Sequence, residues 1–175
     1  MDLENVLMRE LSRRQMDYAA HCIGGDASAF ERLMRIVLHG REPVVQRAAW
    51  AMDICLAKHP CLLSPWVDAL IDALPRMCNN GVKRQAVKAL ASCSFIPEQH
   101  EGQLAGLCFD WLQSADIPVA IKVHCMQILA NIAARHPGLA GELRTVIVEQ
   151  TPRNSAGFAS RAKKILKRLP AYSPV

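Results

Sequence analysis

Histidine and cysteine are the residues of this chain best suited to nucleophilic or metal chemistry. The chain has six histidines and seven cysteines, and two of the histidines are directly followed by a cysteine, in His21-Cys22 and His124-Cys125. Neighbouring side chains on a helix diverge by about 100°, so neither pair can hold one metal ion. The cysteines lie at irregular spacing without a CxxC pair, which favours reduced packing residues over a zinc or disulfide framework. We therefore expect no metal site and no cofactor.

Motifs of the common enzyme classes are missing from the sequence. It contains no G-x-S-x-G nucleophile motif, no phosphate-binding loop, no dinucleotide fingerprint and no H-E-x-x-H zinc motif. The short run Gly24-Gly25-Asp26 is interpreted as a helix break rather than a phosphate cradle. The sequence therefore predicts a protein that is not an enzyme.

Positive charge is concentrated near the end of the chain. The formal net charge is +5, yet residues 151–175 hold six basic residues and no acid, so the first 150 residues sum to −1. Five of the six form a candidate basic patch, which consists of Arg161, Lys163, Lys164, Lys167 and Arg168. Such a patch binds phosphate or an acidic protein, or it is simply the solvated end of a helical stack.

Composition favours helices that pack closely. About half of the residues (51%) are apolar but only 5% are aromatic, and the apolar set is rich in good helix formers. No apolar run approaches the roughly 20 residues that a membrane span needs. The first residues carry Asp2 and Glu4 where a secretory signal carries basic residues. We expect a cytoplasmic, all-α protein without a membrane partner.

Four nine-residue segments align without gaps and define a repeat. Their starts are 38, 39 and 37 residues apart, and the segments are Val44–Met52, Val82–Leu90, Ile121–Leu129 and Phe158–Leu166. At 100° per residue, positions one, five, eight and nine share one helix face, and all of these residues are apolar. Position five is small every time, as expected where two helices approach closely; it is Ala48, Ala86, Cys125 or Ala162.

A second apolar stripe with helical spacing precedes each segment, so each repeat is predicted to be a helical hairpin. The predicted repeats span residues 28–60, 64–96, 101–136 and 138–169. Residues 1–25 are expected to form N-terminal capping helices, and 170–175 a tail. The whole chain, 1–175, is thus predicted to be a single domain, an α-α superhelix of about four hairpins plus the N-terminal cap.

Helix ends follow recognisable local patterns. Ser28 with Glu31 is predicted to form a capping box, and Ser64-Pro65 to supply a cap and a first-turn proline. Lys58-His59-Pro60 and Arg135-His136-Pro137 place a cation before a proline, which is typical of a helix stop. Both histidines are interpreted as caps.

With these segments defined, the chain resembles HEAT repeats. Val82–Leu90 reads as the second helix of such a repeat: apolar, basic, two variable residues, Ala, two variable residues, Ala, Leu. Asp116-Ile117-Pro118 resembles the turn between the helices. The resemblance covers residues 28–169 and implies a helical array that serves mainly as a scaffold. It also implies that Asp116, Lys83 and Lys122 help to tie neighbouring repeats together.

The resemblance places the second helices on the concave side of the array, where a partner would bind. The residues opposite the apolar faces are candidate partner-binding residues, namely Gln46, Trp50, Asp53, Arg84, Lys88, Gln127 and Lys164. Trp50 is either an anchor for the partner or a residue covered by the N-terminal helices. Arg84 and Lys88, one turn apart, add a cationic stripe or are merely solvated.

Two functions are consistent with this surface. The first is a non-catalytic scaffold that binds another protein or a peptide on the concave face. The alternative is nucleic-acid binding through the basic last helix and the stripe of Arg84 and Lys88. A more distant form of this alternative is an activity like that of the HEAT-like alkylpurine DNA glycosylases. Those enzymes use an Asp and aromatic residues in a basic cleft, and Asp53 and Trp50 resemble that arrangement only loosely.

Overall fold

The structure is a computed structural model that describes residues 2–169, so the predicted tail at 170–175 lies outside the described residues. Within that range the chain forms ten α-helices and no strand. These are α1 (Leu3–Met8), α2 (Arg13–Ile23), α3 (Ala27–His39), α4 (Val44–Lys58), α5 (Val67–Ala73), α6 (Asn80–Ser92), α7 (Glu98–Gln113), α8 (Val119–Ala133), α9 (Gly138–Gln150) and α10 (Ala156–Arg168). None of the described helices is long and apolar enough to cross a membrane.

The helices group into two compact units, Met1–Phe95 and Ile96–Val175. In the first unit α4 is central, because it packs against α1, α2, α3 and α6. In the second unit α8 has the same role and packs against α7, α9 and α10. The assignment of one domain to the whole chain stays a prediction.

The four aligned segments lie within α4, α6, α8 and α10, the second helix of each predicted hairpin. Their small position-five residues are all buried, with exposed fractions of 0%, 0%, 0% and 2% for Ala48, Ala86, Cys125 and Ala162. The first position of the last segment, Phe158, is also fully buried. The predicted apolar face of these helices is therefore confirmed at the small residues, where neighbouring helices were expected to approach most closely.

Two helix starts differ from the predicted ones. The N-cap of α3 is Asp26 rather than Ser28, and its carboxylate accepts a hydrogen bond from the backbone N–H of Ala29 at 2.6 Å. In the second repeat, Pro60–Trp66 is a 3₁₀ helix, and α5 begins only at Val67. Two prolines, at 60 and 65, lack the backbone N–H that a longer α-helix needs there.

The cysteines are not uniformly core residues, contrary to the interpretation from sequence. Cys55, Cys108 and Cys125 are buried, whereas Cys61 and Cys78 are exposed. All seven thiols are free. The exposed pair lies in the irregular segments around α5, where the helical periodicity that identifies a core position does not apply.

Candidate partner-binding surface

In the first unit, α4 and α6 are neighbours and carry five of the predicted partner-binding residues. Gln46 and Arg84 are exposed, and Trp50, Asp53 and Lys88 are half-buried. The two helices therefore bring these residues onto adjacent elements, as the aligned segments require. Trp50 is neither fully exposed nor fully covered, so only part of its indole is available to a partner.

Asp53 and Lys88 form an ion pair between the two helices. The Lys88 Nζ lies 2.8 Å from Oδ1 and 2.9 Å from Oδ2 of Asp53. The side chain of Lys88 is 45% exposed and that of Asp53 is 25% exposed. Because solvent screens the two charges, the ion pair adds little to the stability of the fold. The ion pair holds both side chains in place. Arg84, the other cation of the stripe, has no ion-pair partner among the described residues.

A cavity of about 560 Å³ opens beside this ion pair. Its wall is largely apolar and includes Leu56, Leu63 and Phe95, with Asp53 and Lys88 at one side. Phe95 follows α6 and is 66% exposed, the most exposed of the large apolar residues in the described chain. This cavity could not be predicted from the helical stripes, because Phe95 lies outside every one of them.

In the second unit, the predicted site residues are arranged differently. The Gln127 side-chain amide donates to Asn131 Oδ1 at 2.8 Å and accepts from Arg161 at 3.3 Å, so it serves internal contacts. Lys164 is exposed, as are Lys163, Lys167 and Arg168. Those four cations have no acidic partner among residues 2–169, whereas Arg161 is half-buried. The basic patch is thus a solvated face of α10, with Arg161 at its edge.

A buried carboxylate of α7 holds the end of α8. Glu101 is 5% exposed. The Arg135 guanidinium donates to Glu101 Oε1 from its Nε at 2.7 Å and also from a terminal nitrogen. The Nε2 of His136 lies 2.5 Å from the other carboxylate oxygen, Oε2. Burial alone would raise the pKa of Glu101, but the hydrogen bonds from Arg135 and His136 lower that pKa overall. His136 is therefore a partner of a carboxylate rather than a simple cap, while His59 does cap α4.

The residues expected to tie repeats together do not do so in the second unit. Lys122 is 4% exposed and forms no hydrogen bond or ion pair with a described residue. Asp116 is exposed, and its carboxylate has no described partner either. The part of the chain that the structure describes contains no cluster of three His, Cys, Asp or Glu residues that could hold a metal ion.

Comparison with known proteins agrees with this helical architecture. The crystal structure of an engineered protein, a structural genomics target, is similar to this chain with a TM-score of 0.65. The likeness covers 95% of this chain and 77% of that one at 18% identity, and at such identity it shows the fold alone. No curated protein matches the sequence. The family described as HEAT repeat domain matches residues 3–169. The predicted fold class, an all-α helical-repeat solenoid, is thereby confirmed, and the chain belongs to the HEAT repeat domain family.

Proposed function

We propose that this protein is a non-catalytic scaffold that binds a segment of another protein on the α4 and α6 face of its first unit. The observation that carries the proposal is the apolar cavity that Phe95 and the ion pair of Asp53 and Lys88 border. A cavity of this kind accepts an apolar anchor residue of a partner, and polar groups at its rim fix the orientation. Seven free thiols favour a reducing compartment such as the cytoplasm.

The charges on α4 and α6 beside the cavity indicate which residues of the partner would flank the anchor. Lys88 is neutralised by Asp53, whereas Arg84 is exposed and has no ion-pair partner in the described chain. A partner segment with an acidic residue near its apolar anchor would satisfy Arg84 and cover Phe95 at once. Trp50 and Gln46 extend the same face for further contacts.

The test is a pull-down from native lysate with wild type, Arg84→Glu and Phe95→Ala, quantified by mass spectrometry. We expect partners retained by the wild type to fall by tenfold or more with either variant, because a central anchor contributes about 2 kcal/mol or more. Isothermal titration with the recovered partner then gives the affinity of each variant.

Arg32→Glu is the matched control. Arg32 is an exposed arginine of α3, the first helix of its hairpin, so the same charge reversal there leaves binding unchanged. If the Arg84 and Arg32 variants recover equal amounts of every partner, the α4 and α6 face is not the binding surface.

Nucleic-acid binding is the second candidate, and the four exposed, unpaired cations of α10 favour it. Lysine and arginine that neutralise phosphates release counterions, so affinity for DNA or RNA falls with salt. A cationic face without aromatic residues contacts the backbone and does not read sequence.

The salt dependence of binding to a fluorescent DNA duplex tests this candidate. Neutralising Lys163 and Lys164 together to Gln should reduce the slope of log K against log salt by about 1.8, since each phosphate contact contributes about 0.9. A double change of Arg13 and Arg14 to Gln, on α2, is the control and leaves the slope unaltered. Absence of salt-dependent retention by the wild type rejects the nucleic-acid candidate and leaves the scaffold proposal standing.

A further inference from the structure

The second unit contains a buried lysine without a partner. Lys122 lies on α8, and 4% of its surface is exposed; no described residue offers it a hydrogen bond or a counter-charge. Burial lowers the pKa of its ammonium group. The Lys122 ammonium is not among the fully buried polar atoms that lack a hydrogen bond in residues 2–169, so the aliphatic stem is buried and the charged tip reaches solvent.

The same lysine lines a cavity of about 430 Å³ that contains several further hydrogen-bond donors. Gln150, at the end of α9, is 7% exposed, and its side-chain amide also has no described partner. Arg153 is exposed at the cavity wall and unpaired. Two largely buried polar side chains and a guanidinium therefore line one cavity.

The start of α8 adds backbone donors to this cavity. Pro118 is the N-cap and supplies no side-chain hydrogen bond, and Val119, the first helical residue, lines the cavity. The backbone N–H groups of Ile121 and Lys122 bond to the Pro118 carbonyl, whereas those of Val119 and Ala120 have no acceptor within the helix. Free N–H groups at a helix N-terminus favour an anion.

We infer that this cavity is a binding site for a phosphate group, with Lys122 at its base and Arg153 and Gln150 at its sides. The donors outnumber what the two oxygens of a carboxylate accept, and they suit a tetrahedral dianion. Asp116 is the one acid that lines the cavity. It is exposed to solvent, whereas the stem of Lys122 is buried.

The site is independent of the proposed partner-binding face, which lies in the other unit. Its volume admits inorganic phosphate and also a phosphate monoester on a side chain. The two sources share one chemistry, so inorganic phosphate and O-phosphoserine are both used as probes.

Thermal unfolding and ³¹P NMR of the full chain test the site. We expect both probes to raise the Tm of the wild type above that in sodium chloride of equal ionic strength. Lys122→Met should weaken phosphate binding by about tenfold or more, because it removes a hydrogen bond between charged groups. This variant should fold, because methionine keeps a buried apolar stem of similar length and removes only the ammonium group.

Two further variants sharpen the result. Asp116→Asn removes the repelling carboxylate and should tighten binding, whereas Lys58→Met, at an exposed lysine of α4, should leave it unchanged. Equal phosphate responses in the wild type and Lys122→Met would overturn the site. So would a wild type that shows no response beyond that of chloride. A response to O-phosphoserine but not to inorganic phosphate assigns the site to a phosphorylated side chain.

Discussion

Phe158→Ala should destabilise the protein by about 3–5 kcal/mol, the range found when a fully buried aromatic side chain is truncated. Phe158 has an exposed fraction of 0% and is the first residue of the last aligned segment, in the first turn of α10. Its backbone N–H bonds to the Ser155 hydroxyl, so the substitution leaves that cap in place and removes only packing. Urea unfolding followed by circular dichroism measures the loss.

Phe95→Ala is the matched control for this experiment. It makes the same chemical change at a side chain that is 66% exposed, so the free energy of unfolding should move by no more than about 0.5 kcal/mol. The pair therefore separates the contribution of Phe158 to folding from the binding role proposed for Phe95. Comparable losses in both variants would contradict the assignment of Phe158 to the core.

The repeat could be predicted from sequence because helix packing imposes a strict pattern. Ala48, Ala86, Cys125 and Ala162 recur at one position of each second helix, and all four are buried. A bulky residue there would push neighbouring helices apart, so the constraint is visible in the sequence itself. Gln46 and Arg84, which were predicted to lie opposite the core, are exposed.

Features that depend on contacts between distant residues could not be predicted in this way. The pairing of Glu101 with Arg135 and His136 joins residues more than 30 positions apart, and no local pattern records it. The burial of Lys122 is also tertiary, because a basic residue at that helical position is ordinarily read as solvated. The α5 helix begins later than predicted because Pro60 and Pro65 favour a 3₁₀ segment over a longer α-helix.

The cluster around Glu101 should govern how stability responds to acid. The pKa of Glu101 is lowered from its ordinary value of 4.5 by hydrogen bonds that outweigh the effect of burial. A carboxylate with a lowered pKa in the folded state contributes stability above pH 4.5, and that contribution is lost as the pH falls through the lowered value. The wild type should therefore lose stability between about pH 5 and the acid limit of folding.

Replacing Arg135 and His136 together by Ala should reverse this dependence. Glu101 then stays buried without its donors, beside a groove that also contains Glu98, Asp110 and Glu142, so desolvation and like charge raise its pKa. A raised pKa in the folded state means that stability is present at low pH and is lost as the pH rises. We expect the free energy of unfolding at pH 7 to fall by about 2–4 kcal/mol. This is the lower part of the range for breaking a buried ion pair, because the side chains that are removed are half-exposed.

Urea midpoints measured from pH 4 to pH 8 separate the two cases by the sign of their slopes. Between pH 7 and about pH 5 the double variant should gain stability while the wild type stays level. Glu101→Gln, which keeps the shape but cannot ionise, should remove both the acid loss of the wild type and the gain of the double variant. A double variant that loses stability in acid like the wild type would mean that Glu101 is solvated in the folded protein, because only a buried carboxylate without donors takes up a proton near neutral pH.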